Sequence, residues 1–244
     1  MNADSNLSST LAMAGLRVAV TGGTSGLGLA LVRELRSRRA EVVFTARGRE
    51  RVEAVARETG AHGVVADVGD KAWIYPTALQ VTGLLGGLDV LINNASDLGP
   101  VPLALLADTD CEDFERALQV NVLGPFRLTK ALMGALAASV REGRGAVVLN
   151  VISDAAVNAY ATWGAYGASK AALAHLSRIW DEETSAIGVR VLALDPGDMD
   201  TPMHALAIPD ADPAELARPA DAALGLIAAI AAALPHRMLE GATP

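Results

Sequence analysis

A single cysteine stands in this chain of 244 residues. Cys111 has no partner for an intrachain disulfide and belongs to no cluster that would hold a structural zinc, which suits a reducing cytosol. Histidine is sparse as well: His62, His175, His204 and His236 are scattered with no i, i+4 pair, so no metal site is expected. Positive charge is short. Lys and Arg number 20 against 28 Asp and Glu, a formal net charge of -8, which argues against nucleic acid or an anionic membrane as the main partner and favours a small molecule. Residues 1–14 contain no Lys or Arg, so they lack the charged start of a secretory signal and read as a flexible tail. No apolar run approaches the roughly 20 residues of a membrane-crossing helix. The longest candidate, residues 222–234, reads as a buried or subunit-facing helix. Internal repeats and low-complexity linkers are missing too, so residues 15–244 are expected to form one domain. Hydrophobic residues at 51% and charged residues at 20% supply material for a large core.

What is present alternates. Short aliphatic runs at residues 16–21, 41–45, 63–66, 89–92, 146–151 and 189–194 are separated by longer amphipathic stretches, notably 27–37, 50–58, 113–141 and 166–187. That alternation is the mark of repeated βαβ units, and nearly all-aliphatic strands are buried on both faces of a parallel sheet. The fold class is therefore α/β, a single-domain Rossmann fold with a doubly wound parallel sheet and helices on both faces. Gly143, Gly145 and Gly188 follow the long helices as stop signals. Residues 196–219, rich in Pro, Asp and Ala, form the one long irregular stretch, a candidate substrate loop or lid.

The first strand ends in Thr21-Gly22-Gly23-Thr24-Ser25-Gly26-Leu27-Gly28 and runs directly into a helix. Glycines permit a tight turn and close backbone approach, and the free amides and positive dipole of a helix start favour a pyrophosphate. After the second strand an acidic residue would accept hydrogen bonds from a ribose 2'-hydroxyl, but Ala46-Arg47-Gly48-Arg49 stands there instead. Arg47 suits a 2'-phosphate, so NADP(H) is the expected cofactor. Arg49 and Arg51 are read as a solvated helix start. Tyr166 and Lys170, in Tyr-Gly-Ala-Ser-Lys, share a helix face. A tyrosine hydroxyl titrates near 10 in its ordinary state and needs a nearby cation to share its proton at neutral pH. The pair taken alone is equally a packed tyrosine beside a surface lysine.

Thr21 to Gly28, Asn93-Asn94-Ala95, Asn121, Ser153, Tyr166, Lys170 and Pro196-Gly197 together resemble the ordered motifs of the short-chain dehydrogenase/reductase family. The resemblance spans almost the whole domain. It implies that Tyr166 is general acid for reduction and general base for oxidation, that Ser153 hydrogen-bonds the reacting oxygen, and that Lys170 binds the nicotinamide ribose and lowers the tyrosine pKa. Asn121 would hold a water in the proton relay. Gly22, Thr24, Ser25, Gly26, Leu27 and Gly28 would cradle the pyrophosphate, Asp67-Val68 would contact adenine, Asn94-Ala95 would pass the adenosine ribose, and Thr201 would contact the carboxamide beyond Pro196-Gly197. The implied reaction moves a hydride between nicotinamide and a carbonyl or alcohol carbon of a small, largely apolar substrate, as in a ketone or aldehyde reductase or an alcohol dehydrogenase. Asp154, Tyr160, Trp163, Met199 and Met203 flank these positions and either line a largely apolar pocket or belong to the core. Two alternatives remain: an NAD-dependent alcohol dehydrogenase of the same family, and a noncatalytic NADP(H)-binding regulator.

Three departures from the family pattern stand out. Ser96 replaces the glycine that usually follows Asn-Asn-Ala, Ser25 stands where many NADP-dependent relatives carry a basic residue, and residues 239–244 lack the usual last strand ending in a glycine pair. The resemblance also implies a homo-oligomer, a tetramer with a dimer as alternative. One interface would come from the two long helices, with Leu132, Met133, Leu136, Leu173, Leu176 and Ile179 as outward apolar material. If these residues turn inward, they simply cover the sheet.

Overall fold

The computed structural model describes residues 13–235. Of the tail expected at residues 1–14 only Met13 and Ala14 fall in that range, and Met13 belongs to the core, fully buried with Leu16. Residues 239–244 and His236 lie outside the described residues.

Six strands form one parallel sheet in the order β3-β2-β1-β4-β5-β6: β1 (Arg17–Thr21), β2 (Glu41–Ala46), β3 (His62–Val65), β4 (Val90–Asn93), β5 (Ala146–Val151) and β6 (Val189–Leu194). The aliphatic runs match them to within a residue or two at each end. β1 pairs with both β2 and β4, with Ala19 opposite Val43 on one side and Leu91 on the other. Chain order thus reverses at β1, and the crevice beyond the carboxyl ends of β1 and β4 is where such sheets bind ligands.

Helices cover both faces. On one side α1 (Gly26–Ser37), α2 (Arg49–Thr59) and a late helix, residues 219–233, bury Leu31, Leu35, Val52, Leu226, Ile227 and Ile230 against β1, β2 and β5. On the other, α3 (Lys71–Leu85), α4 (Cys111–Leu118), α5 (Gly124–Arg141) and α6 (Gly164–Thr184) stand in sequence. α3 was not distinct in the sequence because Pro76 and Gly83 interrupt its pattern, yet Ile74, Thr77, Ala78 and Val81 fall at helical spacing on its buried face. The stretch read as one helix, 113–141, is α4 and α5 joined by a π-turn at Gln119–Leu123. That extra residue in the turn re-aims the side chains around Asn121, a common device at functional sites.

The outward apolar faces expected on α5 and α6 are largely corrected. Leu132 and Leu136 are buried against the sheet, Leu173 is buried as well, Met133 and Leu176 are half-buried, and Ile179 is exposed, at 41%. The loop at 196–219 is more ordered than expected. It contains α7 (Pro202–Ala207), and a parallel bridge between Met199 and Ala217 pinches its ends together. The apolar run at 222–234 lies in α8 (Pro219–Ala233), packed on α1.

Candidate active site

A cavity of about 830 Å³ opens at the carboxyl ends of the strands. Every site residue expected from the sequence lines it except Asn121, which is fully buried behind the wall. At its floor, the turn after β1 is built around missing side chains. Gly22 has a φ of +72, a conformation that favours glycine, and a Cβ on Gly28 would lie 2.1 Å from the Gly22 carbonyl oxygen. The turn is tied to β4 by Thr21, whose hydroxyl accepts from the amides of Asn94 and Ala95, both at 3.0 Å, while Asn94 Nδ2 donates to the Thr21 carbonyl at 2.8 Å. Backbone amides at the start of α1 are thereby held open toward the cavity, as a pyrophosphate requires.

Arg47 lies at the end of β2 with its side chain exposed along the cavity edge, and Arg51 lines the same edge from the first turn of α2. Arg51 is exposed, as a solvated helix start would be, and it shares the cavity edge with Arg47. Asp67 follows β3, where its carboxylate accepts from the Gly69 amide at 2.9 Å and pairs with Arg116 at 3.2 Å. Arg116, on α4, also pairs with Asp97 at 3.5 Å. Nothing in the local sequence marks Arg116, because its two partners come from distant loops.

The opposite end of the cavity carries the chemistry. Ser153 follows β5 and Tyr166 lies in the first turn of α6, and both line this end of the cavity. Burial pushes the Tyr166 phenol up to about 12, and the carboxylates of Asp195 and Asp154 push the same way, against hydrogen bonds from Ser153 and Ser96 that stabilise the phenolate. Lys170 is one turn further along and buried. Its Nζ donates to the Val151 carbonyl at 2.9 Å and sits 5.4 Å from the centre of the Tyr166 ring. Burial brings the Lys170 ammonium down to about 8, opposed by Asp195. The lysine thus meets the face of the tyrosine and not its hydroxyl. Trp163 packs edge-on against the same ring, with centroids 5.6 Å apart.

Asn121 has no free hydrogen-bonding position on its side chain. Oδ1 accepts from Ser96 Oγ at 3.1 Å and the Asp97 amide at 2.8 Å, and Nδ2 donates to the Asp97 carbonyl and to Ser169 Oγ, both at 2.8 Å. The amide clamps the loop after β4 to α6. Ser96, noted in the sequence only as a missing glycine, is thereby part of the site.

On the substrate side, Asp154, Tyr160, Trp163, Met199 and Met203 all line the cavity, joined by Asp198 and His204. Tyr160 donates to Asp154 at 2.6 Å and Ser153 Oγ donates to the same carboxylate at 3.0 Å. Asp154 thus sets a carboxylate among the apolar side chains of Trp163, Met199 and Met203. Among the described residues no group of three His, Cys, Asp or Glu is placed to hold a metal, and no helix is long and apolar enough to cross a membrane.

With the glycine turn, the Ser153-Tyr166-Lys170 group and the six-stranded sheet in place, the family can be stated: the chain belongs to the short-chain dehydrogenases, an oxidoreductase family that binds a nicotinamide cofactor, and the family pattern matches residues 17–211. It is similar to 2-(R)-hydroxypropyl-CoM dehydrogenase of Xanthobacter autotrophicus, at 31% identity over 233 residues covering 92% of this chain and 91% of that protein. Among solved structures it resembles 3-ketoacyl-(acyl-carrier-protein) reductase from Brucella melitensis complexed with NADH, with a TM-score of 0.83, 27% identity and coverage of 93% of this chain and 94% of that one. It also resembles a short chain dehydrogenase from Shigella flexneri complexed with NADP, with a TM-score of 0.79, 26% identity and coverage of 88% and 92%.

Proposed function

We propose that this protein is an NADP(H)-dependent reductase or dehydrogenase that interconverts a small ketone or aldehyde and the corresponding alcohol. The observation that carries the reading is the gathering of Ser153, Tyr166 and Lys170 on the wall of one cavity that is also lined by the glycine turn at a helix start. The bound nicotinamide supplies or accepts the hydride. Ser153 and Tyr166 hold the substrate oxygen between them, and Tyr166 gives it a proton in reduction. Because burial keeps the phenol protonated up to about 12 in the free protein, the acid form is the resting one at ordinary pH. Oxidation needs the phenolate and so gains with rising pH. Lys170, one turn from Tyr166 and buried, would bind the nicotinamide ribose hydroxyls with the ammonium protons not given to the Val151 carbonyl. Pro196, Gly197 and Thr201 line the carboxamide side, and Asp67, Val68, Asn94 and Ala95 the adenosine side.

The preference for NADP(H) rests on two arginines, Arg47 and Arg51, at the ribose edge and on the lack of an acid at the end of β2. An NAD-dependent enzyme is the second reading, favoured by the exposure of Arg47 and by a relative that is complexed with NADH. A reducing cytosol suits an exposed lone cysteine.

The test is a screen of ketones and aldehydes for oxidation of NADPH and NADH, with Tyr166→Phe as control. Removal of the proton donor is expected to lower turnover by about 10²- to 10⁴-fold. Cofactor affinity should stay nearly constant, since the phosphates are held elsewhere. Substantial turnover by Tyr166→Phe overturns the mechanism.

A further inference from the structure

We propose that Asp154 is a specificity-determining residue and that the substrate it selects is a small alcohol or ketone bearing a protonated amine next to the reacting carbon. The inference rests on the reading of Ser153 as the hydroxyl that holds the substrate oxygen, and deepens it by naming a substrate class.

The carboxylate is fixed by the local fold. Ser153 opens a short 3-10 turn, Asp154–Ala156, and caps it by accepting from the Ala155 amide at 3.2 Å. Ser153 Oγ donates to Asp154 Oδ1 at 3.0 Å, and the Tyr160 hydroxyl donates to Oδ2 at 2.6 Å. Each carboxylate oxygen thus has one of these hydroxyls as donor and a further lone pair to offer. Ser153, Asp154 and Tyr160 all line the cavity. A substrate oxygen hydrogen-bonded to Ser153 lies about 2.7 Å from Oγ, so Asp154 Oδ1 stands no more than about 6 Å from it.

A serine hydroxyl has a single proton, and in the free protein that proton is on the bond to Asp154. Ser153 must turn it away from a carboxylate to donate to the substrate oxygen, although a hydrogen bond to a charged group is the stronger of the two. An ammonium beside the reacting carbon removes the conflict: it meets Oδ1, replaces the serine as donor and frees the serine proton for the substrate oxygen. An anionic substituent does neither, and meets a like charge at close range.

The charges of the cavity are sorted in the same sense. Arg47 and Arg51 line the adenosine side, and Arg116 is paired there with Asp67. The loops after β5 and β6 bring instead the carboxylates of Asp154, Asp195 and Asp198 to the cavity. Trp163 adds apolar surface for the rest of the molecule, and its ring and that of Tyr160 offer faces over which an ammonium is attracted.

The experiment uses three alcohols of one shape, phenylethanolamine, styrene glycol and mandelate, which place an ammonium, a hydroxyl or a carboxylate next to the same carbinol carbon. Binding of each to the NADP+-loaded protein is measured at neutral pH by ligand-detected NMR titration, and oxidation by NADPH formation. Phenylethanolamine should bind at least about tenfold more tightly than mandelate, with styrene glycol between them, and added salt should narrow the gap. Asp154→Asn, which keeps the shape and removes the charge, should shrink the amine-to-mandelate ratio about five- to tenfold, and Asp154→Glu should keep most of it. Oxidation should follow the same order in kcat/KM. Amine binding no tighter than mandelate binding, a ratio that Asp154→Asn leaves unchanged, or no measurable binding of any of the three overturns the proposal. Because binding is read without turnover, this result stands or falls apart from the oxidoreductase reading, which Tyr166→Phe tests.

Discussion

At the scale of single residues, Asp195 and Arg47 set measurable preferences. Asp195 raises both Tyr166 and Lys170, so Asp195→Asn should lower both. The pH at which the phenolate becomes available for oxidation then falls, by up to about one pH unit, since the carboxylate is exposed and screened by solvent. A pH profile of oxidation kcat/KM measures this, and an unmoved alkaline limb would show that Asp195 does not face the phenol during turnover. Arg47→Ala should raise the KM for NADPH over that for NADH by about tenfold to a hundredfold, the worth of a charge-assisted bond of roughly 1.5 to 3 kcal/mol. Equal effects on both cofactors would make Arg47 structural. A smaller selectivity change in Arg47→Ala that grows in the double variant with Arg51→Ala would assign part of the 2'-phosphate to the second arginine. The glycine turn was legible from adjacent residues, whereas Ser153, Tyr166 and Lys170 gained their roles only through the family resemblance. Ser96 and Arg116 were not legible, because their contacts are with Asn121, Asp67 and Asp97, distant in the chain.

At the scale of elements, the amino end of the sheet is held by a buried carboxylate. Asp89 accepts from the Arg17 amide at 2.8 Å, pairs with Arg17 at 2.7 Å and with Arg144 at 2.9 Å, and accepts from Ser139 at 2.6 Å. It thus joins the starts of β1 and β4 to the turn between α5 and β5. Burial alone would raise its carboxyl, but the hydrogen bonds from Arg144, Arg17 and Ser139 outweigh that and hold it at about 2, against 3.8 in the unfolded chain. A carboxyl depressed on folding contributes its stability above its unfolded pKa. That contribution is complete above about pH 4 to 5 and is lost as the pH falls toward 2. Asp89→Ala should cost about 1 to 3 kcal/mol, because the Arg17 amide loses its acceptor while Arg17 keeps Glu142 and Arg144 keeps the Gly15 carbonyl, read as a lower midpoint in urea. Asp89→Ala should also unfold with less dependence on pH in the acid range, and an unchanged acid transition would remove Asp89 from that role. In the sequence Asp89 is only the polar first residue of an aliphatic run. Strands and amphipathic helices were legible because their periodicity is local, whereas this clamp joins positions 72 and 55 residues apart. α3 was obscured by Pro76, and the break between α4 and α5 by continuous helical character through the π-turn.

At the scale of the whole molecule, assembly is the remaining expectation, and the fold changes its basis. A homo-oligomer joined through α5 and α6 is expected to use six apolar side chains, but three of them are buried within the chain and only Ile179 is exposed. Other exposed apolar residues lie on α3, where Trp73, Tyr75, Leu79 and Leu84 face outward. Each chain also carries a formal charge of -8, so copies repel at low ionic strength and association should strengthen as salt is added. We therefore expect light scattering at micromolar concentration to give a multiple of the 25.1 kDa chain mass, with the larger species favoured by salt. Ile179→Glu should shift the distribution to smaller species if α6 forms the two-fold contact, and Leu79→Glu should do so if α3 forms it. A mass near 25.1 kDa at both low and high salt would show that the chain works alone, and loss of assembly in neither variant would place the interface on some other face.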